Sequence, residues 1–320
     1  MPLAAALARR FPASNPSAEK LLSEATRLCT DMVSTGLLDK TAHGRLCSSD
    51  DNQFWPIFSE ALVADRLFKA NLTPQHREPG PDFLLELDGR RHWIEVITPQ
   101  PNGIPDDWVK RGIKDEGAFH YPAEEILLRW TAAIKEKAEK LLGVPGNAAR
   151  PGYIASGIVG PEDVYVIAVN GLRLRMGAAT GIDFPQLEGI SQFPVAVEAT
   201  YSVGPYAITV NRTTLEQTGA GHKHRKEIER TNRPPVPADT FHDPRFAPIS
   251  AVWALDLGPT AFVDQEQPMA VVHNPNARNR LSQGLLPAQH EYRLRPSESG
   301  FAVVKEQGRG WPRKFQLLSV

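Results

Sequence analysis

The chain predicts a mixed α/β (α+β) fold: a central mixed sheet flanked by helices, with a β-rich elaboration toward the C-terminus. Three observations predict it. An Asp88-Gly89 pair joins two apolar-rich runs between Pro81 and Pro99, PDFLLELDGRRHWIEVITP. Two stretches, 56–69 and 123–142, place apolar residues at helical spacing. The run DVYVIAVN at 163–170 is apolar and rich in Val and Ile, as a buried strand is. Helix, hairpin, helix and strand in that order, followed by more strands, describe stacked layers of both element types.

Residues 15–35 read as a mostly polar helix. A loop of Ser, Asp and Asn (Ser48 to Asn52) precedes Pro56, which suits the first position of a helix running to Lys69. The hairpin follows, because both central residues of a type I′ turn need positive φ and Asp-Gly supplies them. A loop holds Pro99, Pro101, Gly103 and Pro105, and the long helix 123–142 ends at Gly143, Pro145 and Gly146. Beyond the 163–170 strand, further strands are expected at 193–201, 205–211, 249–255, 269–273 and 301–304. A polar, basic, proline-rich insertion is expected at about 212–245. No interdomain linker stands out. The expected organisation is an N-terminal helical extension (1–50), a core (51–180) and a β-rich elaboration (181–320) packed on it as one domain.

Composition narrows the class. With 41% hydrophobic and 23% charged residues in 320, the chain has the makeup of a globular protein rather than a disordered or membrane-embedded one. No apolar run reaches the ~20 residues of a membrane span. The N-terminal stretch MPLAAALARR is too short for a secretory signal, and its arginines follow the apolar residues instead of preceding them. Two distant cysteines, Cys29 and Cys47, form neither a disulfide framework nor a zinc pattern, so the reducing cytoplasm is the expected compartment. A net charge of −1 offers no global field for nucleic acid; such a partner would need a local patch.

The hairpin also sets side chains face to face. With Asp88-Gly89 as the loop, Leu87 meets Arg90, and counting back sets Asp82 opposite Glu95. Opposed side chains share a face with Cβ atoms about 4.5–5.5 Å apart. Two carboxylates that close repel unless a cation lies between them, and a divalent metal is the natural candidate. On the 56–69 helix, at ~100° per residue, Ile57, Ala61, Ala64, Leu67 and Phe68 form an apolar arc. Glu60 falls inside it, as a metal ligand or as the partner of a neighbouring arginine; Asp65 and Arg66 point toward solvent. On the 123–142 helix, Ile126, Trp130, Ala133, Ile134 and Leu141 form the arc. Lys137 lies within it, either snorkelling from the core margin or serving the acids. Arg129 and Lys140 flank it, and Lys135 is solvated.

Glu60 on a helix, Pro81-Asp82 opening a strand and Glu95 within WIEVITP together resemble the PD-(D/E)xK nuclease superfamily, over roughly residues 54–170. The resemblance implies the restriction-endonuclease-like fold and a metal-dependent nuclease that hydrolyses phosphodiesters, in DNA before RNA. It implies that Asp82 and Glu95, with the main-chain carbonyl of Val96, hold Mg²⁺ or Mn²⁺, and that Glu60 completes or orients the metal shell. The metal would polarise the phosphate and activate a water. A lysine would stabilise the developing charge. The motif lysine belongs two residues after Glu95, where this chain has Ile97. Some members supply it from a helix, and Lys137 is the leading substitute. Without a substitute, the domain is an inactive relative that binds nucleic acid or protein without cutting.

Other basic residues could grip phosphates or form ordinary solvated surface: Lys110, Arg111 and Lys114 after the hairpin, and Lys223, Arg225 and Lys226 within GHKHRKEIERTNRPP. Arg91 is expected to pair across the hairpin with Glu86. His222 and His224 lack the partners of a zinc site. His273-Asn274-Pro275 marks a strand end. A homodimer is an assembly this reading allows. No nucleophile elbow or Gly-rich phosphate loop occurs in the context either would need.

Overall fold

The structure, a computed structural model, describes residues 2–309 except 113, 114, 116, 119, 148, 181–184, 231, 232, 264–266, 298 and 299. Eight α-helices are described: α1 (Leu3–Arg10), α2 (Pro16–Ser34), α3 (Ala42–Leu46), α4 (Asp51–Lys69), α5 (Asp106–Val109), α6 (Ala123–Leu142), α7 (Gly152–Ala155) and α8 (Val195–Tyr201). The strands are β1 (Phe83–Leu87), β2 (Arg90–Ile97), β3 (Val164–Asn170), β4 (Val203–Val210), β5 (Gln217–His224), β6 (Glu227–Arg230), β7 (Arg233–Pro237), β8 (Ala251–Leu255), β9 (Met269–His273), β10 (His290–Ser297) and β11 (Gly300–Gln307).

Seven strands form one mixed sheet in the order β1-β2-β3-β8-β9-β10-β11. β2 runs parallel to β3 and β3 to β8, while β1 and β9 are antiparallel to their neighbours β2 and β8. Every residue of β3 is buried, because a central strand is covered on both faces; that is why its sequence is continuously apolar rather than alternating. Strand alternation divides the interior in two. Phe83, Leu85, Ile94, Val96, Val166 and Trp253 face a core built with α1–α4. Leu84, Trp93, Tyr165, Ile167 and Val252 face a second core built with α5, α6 and α8. Among the described residues no helix is long and apolar enough to cross a membrane.

The hairpin turn is as expected: Asp88 and Gly89 have φ of 50° and 73°, and Leu87 pairs with Arg90. Phe83 pairs with Ile94, which puts Asp82, one residue before β1, level with Glu95. The turn end of the hairpin is anchored differently from expectation. Arg91 sits level with Glu86 but forms its ion pair with Asp163, at 2.8 Å. The same carboxylate accepts from Trp93 Nε1 (2.9 Å) and the Gly160 amide (2.7 Å). A buried acid with several donors outcompetes a solvated partner across the strand.

Four further expectations are corrected. α4 starts at Asp51, capped by Asp50, so Pro56 lies inside the helix rather than at its first position. Asp65 and Arg66 are buried, because α2 and α3 pack on α4 in addition to the sheet. Residues 195–201 form a helix, not a strand. Pro194 precedes it, the Glu198 carboxylate accepts from the Ser191 amide at 2.7 Å, and Ser202 closes it with φ of 59°. Its seven residues are all buried, and packing overrides their β-branched propensity. Finally, the expected 212–245 insertion carries strands: β5 pairs with β4 and β6 with β7 as two separate ribbons.

Candidate active site

A cleft of about 520 Å³ opens where β2 ends and β1 begins. Its floor is Asp82 and the Val96–Gln100 segment; one wall comes from α3 and α4 (Arg45, Pro56, Glu60), the other from α6 (Arg129, Lys137, Lys140). The walls lie on opposite faces of the sheet, since α4 belongs to one core and α6 to the other.

Glu95 shares its face of β2 with Trp93 and Ile97, and that face looks at α6. Its carboxylate is buried and held by two lysines from consecutive turns of α6. Lys137 Nζ is 2.6 Å and Lys140 Nζ 2.8 Å from the same oxygen, Oε1. Lys137 is buried with it; Lys140 is 46% exposed and reaches in from the cleft. The Tyr153 hydroxyl makes a long contact of 3.5 Å to Oε2 and donates to the Gly80 carbonyl at 3.3 Å. Asp82 accepts the Val96 amide proton on Oδ2 at 2.6 Å, so the start of β1 is clamped to the end of β2.

The acids are crowded. Burial, and then the Glu95 charge, push the Asp82 carboxyl up to about 6. Burial pushes Glu60 well above the usual carboxylate range; Asp82 adds to the effect, and Lys137 and Arg45 oppose it. Burial would lower Lys140, but the charge and hydrogen bond of Glu95 hold it above its ordinary value. The cleft thus carries buried, mutually repelling carboxylates, Asp82 on its floor and Glu60 on one wall, with cations on both walls.

The structure therefore brings together Glu60, Asp82, Glu95, Val96, Lys137, Arg129 and Lys140. Ile97, two residues after Glu95, also lines the cleft. Lys110 pairs with Asp106 at 2.7 Å, and Arg111 donates to the carbonyls of Asp115 and Gly117; neither lines the cleft. Lys114 lies outside the described residues. Lys223 is the penultimate residue of β5, Arg225 pairs with Glu124 at 3.3 Å, and neither these nor Lys226 line the cleft. His273 bonds Glu291 at 2.7 Å, and Asn274 donates to the carbonyls of Phe246 and Ile249, so that cluster finishes a strand away from the acids. Arg45, Asp39 and Tyr153 had no sequence signal. α3 is too short for a readable period, and Tyr153 meets Glu95 across 58 residues of chain.

Among the described residues no three His, Cys, Asp or Glu side chains are gathered as a ready-made metal group. Comparison with protein-family models, curated proteins and solved structures finds no match to this chain.

Proposed function

We propose that this chain is a divergent metal-dependent nuclease of the PD-(D/E)xK type that hydrolyses phosphodiesters, DNA before RNA. The observation that carries the reading is Lys137, on the cleft wall, bonded to the buried Glu95 carboxylate, with Asp82 on the cleft floor. An acid pair and a lysine from three separate elements come together, and this supports the reading.

The donor set suits a hard divalent ion. Asp82 and Glu60 are carboxylates whose pKa is raised by burial first and by a neighbouring acid second, and a bound cation would favour their charged forms. Mg²⁺ and Mn²⁺ accept one or two carboxylates and keep water for the rest, so three converging acids are not required. Asp82 and Glu95, with the Val96 carbonyl, would hold the ion, and Glu60 would support it. When bound, such an ion supplies Lewis-acid polarisation of a phosphate and a water of lowered pKa.

The chain's own residues supply the rest. Lys137 Nζ presents a fixed positive charge to the phosphate oxygens as negative charge grows there, the preorganised electrostatic role. It does the work of the lysine that Ile97 replaces. Burial raises the pKa of Glu60, and positive charge entering the cleft would favour its carboxylate form. Arg129 and Lys140 offer phosphate contacts along α6.

A second reading, a module that binds nucleic acid or protein without cutting, draws on Ile97 and on the engagement of Glu95 by two lysines. Incubation with plasmid DNA in Mg²⁺, Mn²⁺ or EDTA, beside Asp82→Ala, separates the two. Nicking that EDTA and the substitution both abolish supports the nuclease. Binding without nicking under either metal supports the module.

A further inference from the structure

We propose that Arg45 is a phosphate-binding residue of the cleft, gripping the backbone of a nucleic-acid strand that lies between the N-terminal helices and α6. The proposal rests on the nucleic-acid reading above and gives the first fifty residues a part in it.

Arg45 stands on the α3–α4 wall, across the floor from Arg129 and Lys140. Its tether is loose: Nη1 is 3.6 Å from Asp39 Oδ2, and the side chain is 29% exposed. Its Nε is buried and has no hydrogen-bond partner among the described residues. A guanidinium in this state is unusual, because its donors are normally saturated. The planar guanidinium fork lines the cleft, held among the described residues only by the long contact to Asp39, and such a fork matches the geometry of a phosphate's oxygens. Two arginines on facing walls would seat a polyanion over Asp82 and Lys137, where one cationic wall would only attract it.

The alternative is that Arg45 only ties α3 to the Asp39 turn. Titration of a short fluorescein-labelled duplex and a labelled single strand, in EDTA at several salt concentrations, decides between them. Arg45→Met is expected to weaken binding about tenfold. It should also flatten the salt dependence by about 0.9 for the duplex or about 0.7 for the single strand, one phosphate contact fewer. Arg45→Lys should keep the slope while losing affinity. Asp39→Asn, which releases the guanidinium, should tighten binding more in the wild-type background than beside Arg45→Met, since loss of the Asp39 charge alone acts equally in both. Wild-type affinity and slope in Arg45→Met, or weaker binding in Asp39→Asn, overturn the assignment and leave the nuclease reading standing. A wild-type protein that binds neither probe overturns both.

Discussion

Replacing Asp82 by Asn should stabilise the metal-free protein above pH 6 and leave it unchanged near pH 4. The Asp82 carboxyl sits at about 6, against an ordinary 3.8. A raised acid pKa means that the folded state prefers the protonated form. The stability this confers is full below about 4 and disappears as pH rises through about 6. The gap corresponds to about 3 kcal/mol. Water in the cleft screens part of it, so a gain of about 1–3 kcal/mol is expected at pH 7.5. Asn keeps an oxygen for the Val96 amide and removes the charge that faces Glu95. Urea denaturation in EDTA, from pH 4 to pH 7.5, gives the two stability curves. Added Mn²⁺ should then reverse their order: at a hundred times its dissociation constant a ligand stabilises by about 2.7 kcal/mol, and only the wild type should respond. Parallel curves in EDTA would refute the crowded-acid argument, and an equal Mn²⁺ response in both proteins would falsify Asp82 as a ligand.

Other substitutions probe the neighbouring groups. Lys140→Met should raise Mn²⁺ affinity severalfold in calorimetry, since one of the two ammonium groups competing for Glu95 Oε1 is gone; weaker affinity counts against that competition. Lys137→Ala should abolish metal-dependent cleavage while leaving the circular dichroism spectrum intact, and full activity would sink its role. Adding Ile97→Lys to that variant returns a cation to the cleft, so part of the cleavage should reappear in a plasmid assay; no recovery argues against the substitution of one lysine for the other. Asp163→Ala should destabilise the fold by about 3–5 kcal/mol, because Arg91, Trp93 and the Gly160 amide lose one shared acceptor; a loss under about 1 kcal/mol in urea denaturation would show the anchor to be dispensable.

Much of the site could be read because its first half is local. The Asp-Gly turn fixes its own dihedrals, and these fix the register that levels Asp82 with Glu95. The helical period of 123–142 put Lys137 on the inward face, and it is buried there. The same reasoning failed where side chains chose among distant partners. Arg91 had Glu86 level with it and took Asp163, 72 residues away, since buried donors were already gathered on that acid. Val195–Tyr201 carries β-branched residues and folds as a helix, because its caps and its wholly buried surroundings outweigh propensity.

By itself, then, the sequence determined the hairpin, its register, the two principal helices and the buried central strand, all of which follow from turn chemistry and from periods of two and 3.6 residues. Only the tertiary structure decided that Lys140 joins Lys137 on one oxygen of Glu95, and that the N-terminal helices supply Arg45 as the cleft's far wall. Those contacts span more than 40 residues of chain or opposite faces of the sheet. No local pattern encodes them; they arise when the two cores close on the sheet and bring its ends to a common edge.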